Sequence, residues 1–207
     1  MATSESDIKA PGFEMIFELR TYELTATKAQ EYLNLFRTLG VEHVTAYLPM
    51  GGYFLTETGQ LNRIHHIWIY ETFAERTAAR QALSSDLGWN KLFVPSAFHL
   101  IERQRNAFMI LQKSSKLLDK VCATRRTQHH AQTPEAQLFG PRLLSLTYSK
   151  TPFQPKERLG QWRITSGYAA GSYVTLAITA DEDLLTYSET NPLEHELLRP
   201  LSCSPLQ

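Results

Sequence analysis

Apolar and polar positions alternate along Glu14–Leu24 (EMIFELRTYEL): Phe17, Leu19 and Thr21 fall on one face, Glu18, Arg20 and Tyr22 on the other. A period of two predicts a half-buried strand. The period then changes. Ala29, Tyr32, Leu33, Phe36, Leu39 and His43 recur at three- to four-residue spacing, which gives a helix one apolar face. Thr27 and Gln30 have the spacing of a capping box at its start. Gly51 and Gly52 open a second strand, Tyr53–Thr58, and Gly59–Asn62 (GQLN) is a turn. Arg63–Tyr70 (RIHHIWIY) is a third strand, β-branched and aromatic. Thr72 with Glu75 starts another helix, Asp86 can restart it, and Pro95 ends or kinks it. Leu100–Leu111 (LIERQRNAFMIL) is a fourth strand.

The order βαββαβ over residues 14–111 is the ferredoxin-like split unit, with both helices on one face of an antiparallel sheet. The other face needs a cover, which a second sheet supplies by closing a barrel. Residues 142–207 offer one. Arg142–Lys150 resembles the first strand, Gln161–Ser166 and Gly171–Thr179 the second and third, and His195–Leu201 a short fourth. Asp181–Thr190 has room for a shortened helix, while only Thr151–Gly160 stands where the first helix belongs. The predicted fold class is therefore α+β: ferredoxin-like βαββαβ repeats forming a dimeric α+β barrel, the second repeat reduced to little more than its sheet. Residues 112–141 carry an excess of basic side chains and no period, and read as a polar linker. The Lys120–Arg126 run and the His129–His130 pair within it read as solvated.

Composition bounds the function. The chain has 207 residues, 43% hydrophobic and 11% aromatic, enough for a sizeable core. Lys and Arg number 21, as do Asp and Glu, so no basic footprint for nucleic acid exists. No apolar run is long enough for a transmembrane helix. Two cysteines, Cys122 and Cys203, make no disulfide framework, which points to a reducing, cytoplasmic compartment. The first twelve residues (MATSESDIKAPG) are polar and lack the pattern of a mitochondrial presequence or a secretory signal.

Candidate chemistry follows from the faces. On the third strand Ile67 and Ile69 suit burial under helices, which sends His66, Trp68 and Tyr70 into the barrel and His65 to the other face. On the first strand the same reasoning sends Glu18, Arg20 and Tyr22 inward; on the second it favours Tyr53 and Glu57. On the fourth, Glu102, Gln104 and Asn106 oppose Arg103 and Arg105, and neither face is preferred. His66 could move a proton near neutral pH, Arg20 hold a carboxylate or enolate, and Tyr22 donate to developing charge, with Glu18 as the fourth catalytic candidate. Trp68, Tyr53, Glu57 and Tyr70 would bind the substrate. Each also has a plainer reading: a buried Arg–Glu pair is often a satisfied network, and a tryptophan on a sheet is usually core. No Walker, Rossmann, His-Glu-x-x-His or Gly-x-Ser-x-Gly motif is present, so no metal or nucleotide cofactor is expected.

FELRTYEL at Phe17–Leu24, GGYFLTETGQLNRIHHIWIYE at Gly51–Glu71, DLGW at Asp86–Trp89 and the terminal SCSPLQ resemble the NIPSNAP family. The resemblance implies a dimeric α+β barrel, a superfamily that includes antibiotic-biosynthesis monooxygenases, heme-degrading enzymes and polyketide cyclases. It also implies mitochondrial association, vesicle traffic and display of damaged mitochondria to autophagy. Two functions are therefore expected as alternatives. One is a homodimeric, cofactor-independent barrel binding or converting a small, largely apolar or aromatic metabolite, of the cyclase, isomerase or oxygenase kind. The other is a non-catalytic NIPSNAP-type scaffold. The free volume beside His66 separates them.

Overall fold

The computed structural model describes residues 15–180 and 192–207. The first unit runs β1 (Ile16–Leu24), α1 (Ala29–Leu35), α2 (Val41–Thr45), β2 (Met50–Thr56), β3 (Arg63–Tyr70), α3 (Phe73–Ser84), α4 (Val94–Ala97) and β4 (Ile101–Lys113). A helix, α5 (Lys116–Thr124), then precedes β5 (Leu143–Ser149), β6 (Arg158–Gly167), β7 (Tyr173–Thr179) and β8 (Glu194–Pro200). The strands form one closed barrel in the order β1-β3-β2-β8-β5-β7-β6-β4. The first four strands thus lie in the order β4-β1-β3-β2 and the last four in β8-β5-β7-β6, and the edges meet as β2–β8 and β4–β6.

This closure removes the argument for a dimer. A sheet face that needs a cover and a free edge both invite a partner chain, and among the described residues the second sheet of the same chain takes up both edges. The helix expected over Asp181–Thr190 lies outside the described residues.

Three local expectations change. Thr27 does not cap the first helix: it adopts φ 70° and its amide donates to Asn62 Oδ1 at 3.1 Å, so α1 starts after Lys28 without a side-chain cap. The helix itself is interrupted by a π-turn, Phe36–Gly40, and a second π-turn, Trp89–Phe93, precedes α4. The two turns pack closely; a methyl group on Gly40 would sit 2.8 Å from the Phe93 ring. Residues 112–141 are not a plain polar linker. Leu118, Val121 and Cys122 of α5 are buried in the barrel's core cluster, and Arg37, itself buried, donates to the carbonyls of Thr133, Pro134 and Ala136. That anchor ties the following segment to the helical layer.

The Thr72 cap does form, accepting from the Glu75 amide at 3.0 Å, and Asp86 accepts from the Trp89 amide at 2.6 Å. The C-terminal segment is stitched to β2: Ser204 Oγ accepts from the Tyr53 amide at 3.0 Å, and the Leu201 amide donates to the Tyr53 carbonyl at 2.9 Å.

Phe17, Leu19, Phe54, Ile67, Ile69, Met109, Leu146, Trp162, Ile164, Val174 and Leu176 pack together inside the barrel, with Phe17 and Trp162 ring centroids 5.5 Å apart. Trp162→Ala is expected to lower the unfolding free energy by about 3–5 kcal/mol in urea titrations. Leu61→Ala, on the exposed turn, should stay within about 0.5 kcal/mol. Equal small losses at both positions would show that the lumen is not the core.

Candidate functional site between the first sheet and its helices

The face assignment is inverted with respect to the sequence expectation. His66, Trp68, Tyr70, Tyr22 and Tyr53 face the helices, where they pack with Tyr32, Phe36, Val44, Leu83 and Phe93. Ile67, Ile69, Phe17 and Leu19 face the lumen instead, and His65 joins them. The physical reason is closure. A closed barrel is filled from every side, so on β1 and β3 the lumen takes Phe17, Leu19, Ile67 and Ile69, and the helical face takes Tyr22, His66, Trp68 and Tyr70. Glu57 is not part of the site: it lies past the end of β2, 39% exposed, beside Arg199 Nε at 3.3 Å.

The remaining candidates do converge. Register places Arg20 opposite His66 and Glu18 opposite Trp68 on β1 and β3, and Tyr53 opposite His66 on β2. His66 stacks on Tyr53 with centroids 4.8 Å apart and meets the edge of Tyr22 at 4.6 Å. Arg20, Tyr22, His66, Trp68 and Tyr53 line a cavity of about 30 Å³, together with Arg80 of α3. Its roof includes Phe36 and Trp89, the first residue of each π-turn. Such turns are frequent at functional sites. The volume suits one or two waters.

Hydrogen bonding fixes the imidazole. The Trp68 indole can only donate, and it donates to His66 Nδ1 at 2.7 Å. The Nδ1 lone pair is therefore occupied, and the neutral ring carries its proton on Nε2. Burial and the nearby Arg20 and Arg80 guanidiniums hold the His66 pKa well below the ordinary 6.5, so the ring is neutral. Tyr53 donates to the Tyr32 hydroxyl at 3.2 Å, and burial pushes both phenols well above their usual range. Tyr70 is fully buried, its hydroxyl has no partner among the described residues, and burial raises its pKa to about 12.

Beside the cavity, Glu18 is fully buried and gathers three arginines. Arg76 donates to both carboxylate oxygens at 2.8 and 2.9 Å, Arg80 at 3.0 Å and Arg20 at 3.3 Å, with Asn106 adding a bond of 3.1 Å. The Asn106 bond, and that of Arg20 to Gln104 at 3.0 Å, place this face of β4 toward the helices. Arg105 lies on the other face near Glu23, its guanidinium 3.9 Å from the Tyr168 ring centroid.

The lumen holds a second polar cluster that the sequence reading did not select. His65 Nε2 donates to Glu196 Oε2 at 2.7 Å, while its Nδ1 lies 3.0 Å from the Thr21 hydroxyl. Arg63 donates to Glu196 at 2.6 Å and to Glu194 at 2.5 Å. Burial alone would raise the Glu196 pKa; the bonds and charges of His65 and Arg63 outweigh it and lower the value. The available signal was Glu196 itself, an acid in period-two phase with Leu198 on β8.

Burial alone would likewise raise the Glu18 pKa, but Arg76, Arg80, Asn106 and Arg20 bring it down from 4.5 to about 2. The stabilisation is therefore complete above pH 4.5 and is lost as pH falls through about 2. Glu18→Gln is expected to cost about 3 kcal/mol at neutral pH. Denaturation curves of the two proteins should converge on acidification across that window. A gap that persists unchanged at the acid end would show that charge is not the cause.

Residues 17–116 match the NIPSNAP family model. Mouse protein NipSnap homolog 3B is 40% identical over 89 residues, 42% of this chain and 36% of that protein. Human protein NipSnap homolog 3A is 34% identical over 104 residues, 50% of this chain and 42% of that one. The chain thus covers well under half the length of these relatives. A crystal structure of a NIPSNAP family protein from Agrobacterium tumefaciens is 32% identical, covering 50% of this chain and 94% of that one, with a TM-score of 0.48. A putative monooxygenase from Fusobacterium nucleatum covers 91% of this chain and 93% of its own at 10% identity and a TM-score of 0.52, a likeness of fold alone. Through residues 17–116, the chain belongs to the NIPSNAP family.

Proposed function

We propose that this chain is a non-catalytic NIPSNAP-type barrel that works through its outer surface as an interaction protein. The supporting observation is filling. The lumen is occupied by side chains, and the cavity beside His66 is about 30 Å³, against roughly 300–1,000 Å³ for a metabolite pocket. The wiring of His66 agrees. With Nδ1 taken by Trp68 and Nε2 protonated, the ring has no free lone pair with which to act as a base. With this reading go a cytoplasmic location and, from the family likeness, association with mitochondria or vesicles.

The homodimer belongs here too, through the helical layer. Leu87 and Leu92 flank Trp89 and are 67% and 54% exposed, more than large apolar side chains in a monomer's core layer normally are. Light scattering at micromolar concentration should then give twice the 23.6 kDa chain mass, and Leu87→Asp with Leu92→Asp should return it to the monomer. A wild-type monomer would remove the homodimer.

A second reading keeps the small metabolite and the cyclase, isomerase or oxygenase class, with Glu18, Arg20, Tyr22 and His66 acting and Trp68, Tyr53 and Tyr70 binding. The convergence of Arg20, Tyr22, Tyr53, His66 and Trp68 on one cavity supports it. The two readings part at His66→Ala. In an interaction protein that change costs about 1–3 kcal/mol of stability by leaving the Trp68 indole unpaired, and aromatic metabolites leave the thermal midpoint of the wild type unchanged. A saturable midpoint shift with such a metabolite, abolished by His66→Ala, would overturn the surface reading.

A further inference from the structure

We propose that the cavity between the first sheet and its helices binds one small anion of the carboxylate class. The three buried side-chain atoms of its lining that lack a partner among the described residues are all donors. His66 Nε2, Arg20 Nε and Arg80 Nε are buried and have no acceptor among the described residues, and all three residues line the cavity. The carboxylate, amide and imidazole acceptors nearby are already committed. Both oxygens of Glu18 are taken by Arg76, Arg80, Arg20 and Asn106, Gln104 Oε1 takes Arg20, and His66 Nδ1 takes Trp68.

Charge points the same way. Three guanidiniums share one carboxylate, which leaves a surplus of two positive charges beside an apolar, aromatic enclosure. Buried donors without acceptors are costly, and so is uncompensated charge. A water could accept from two of the donors but would leave the charge. A carboxylate offers about four lone-pair sites, matches the planar guanidinium fork, and removes one unit of surplus charge. About 30 Å³ admits one such group and little more. Access is on the arginine side, where the Arg20 and Arg80 side chains are 17% and 28% exposed. Such a site needs no turnover.

The test titrates the full chain with sodium formate at constant ionic strength, using sulfate, which is too large, as the balancing salt. Fluorescence of Trp68 and Trp89, both in the cavity wall, and the thermal midpoint report binding. Formate should give a saturable change in both; formamide, the neutral molecule of the same shape, should give neither. Arg80→Gln should weaken formate binding by about tenfold or more, the worth of one charge-assisted hydrogen bond, with an unchanged circular dichroism spectrum. Should that variant fail to fold, Arg20→Gln carries the same test, because Arg76 still holds Glu18 through two bonds. No saturable response to formate, an equal response to formamide, or undiminished formate binding in the folded variant would each overturn the proposal. The second outcome would assign the cavity to neutral polar molecules, and the third would place the anion elsewhere.

Discussion

Everything in this protein follows from closing eight antiparallel strands inside one chain. The β2–β8 and β4–β6 pairings leave no edge, and an eight-stranded barrel is just wide enough to be filled by side chains. Each strand therefore contributes side chains that fill the lumen, as Phe17 and Leu19 do from β1 and Ile67 and Ile69 from β3. β1 shows the gradient along one strand: Phe17 packs on Trp162 near α5, Leu19 follows, and Thr21 reaches the His65–Glu196 pair. The lumen thus has an apolar part stopped by α5 and a polar part tied by Arg63, Glu194 and Glu196. A carboxylate in the second part survives because both its oxygens are bonded; unpaired, it would cost several kcal/mol.

The outer face of the first sheet receives what the lumen rejects. The tyrosines and Trp68 there have one hydrogen-bonding end each, His66 has two, and aromatic packing that includes Phe36 and Phe93 buries the rest. The helix α3 is largely polar and covers this face through Arg76 and Arg80 rather than through an apolar stripe; of its residues only Leu83 is buried. The Glu18 knot is what docks it. This explains why the charged cluster sits at the sheet–helix seam. Guanidiniums can meet a buried carboxylate there and still keep part of their length in water.

The strands and their order were legible because period-two alternation and capping residues are local signals. β1, β3 and the Thr72 cap appear where the pattern put them, and β5, β6, β7 and β8 overlap the four strand signals of residues 142–207. The faces were not legible. Both sides of each strand carry large residues, and which compartment is drier depends on closure, a property of the whole chain. Residue size and polarity at Ile67 and His66 could not decide it. The Thr27 box failed for a related reason, since the left-handed turn that reorients it is set by Asn62, thirty-five positions away. Residues 116–124 carried a readable helical signal, Leu117, Leu118, Val121 and Cys122, hidden within a basic stretch.

His65 and His66 show how adjacent residues acquire opposite roles from that one constraint. The pleat sends His65 inward, where Thr21 and Glu196 engage both ring nitrogens. It is a closed structural link, with no position left for a ligand. The pleat sends His66 outward, where Trp68 engages one nitrogen and the other has no partner among the described residues. Burial between aromatic rings and two arginines keeps that ring neutral, so its free position is a donor, in the company of other donors. The Trp68 bond accounts for Nδ1, which a phenylalanine of similar size could not replace, but it does not account for Nε2. Nε2, a donor held beside the Arg20 and Arg80 guanidiniums, is matched to an oxygen acceptor from outside the chain.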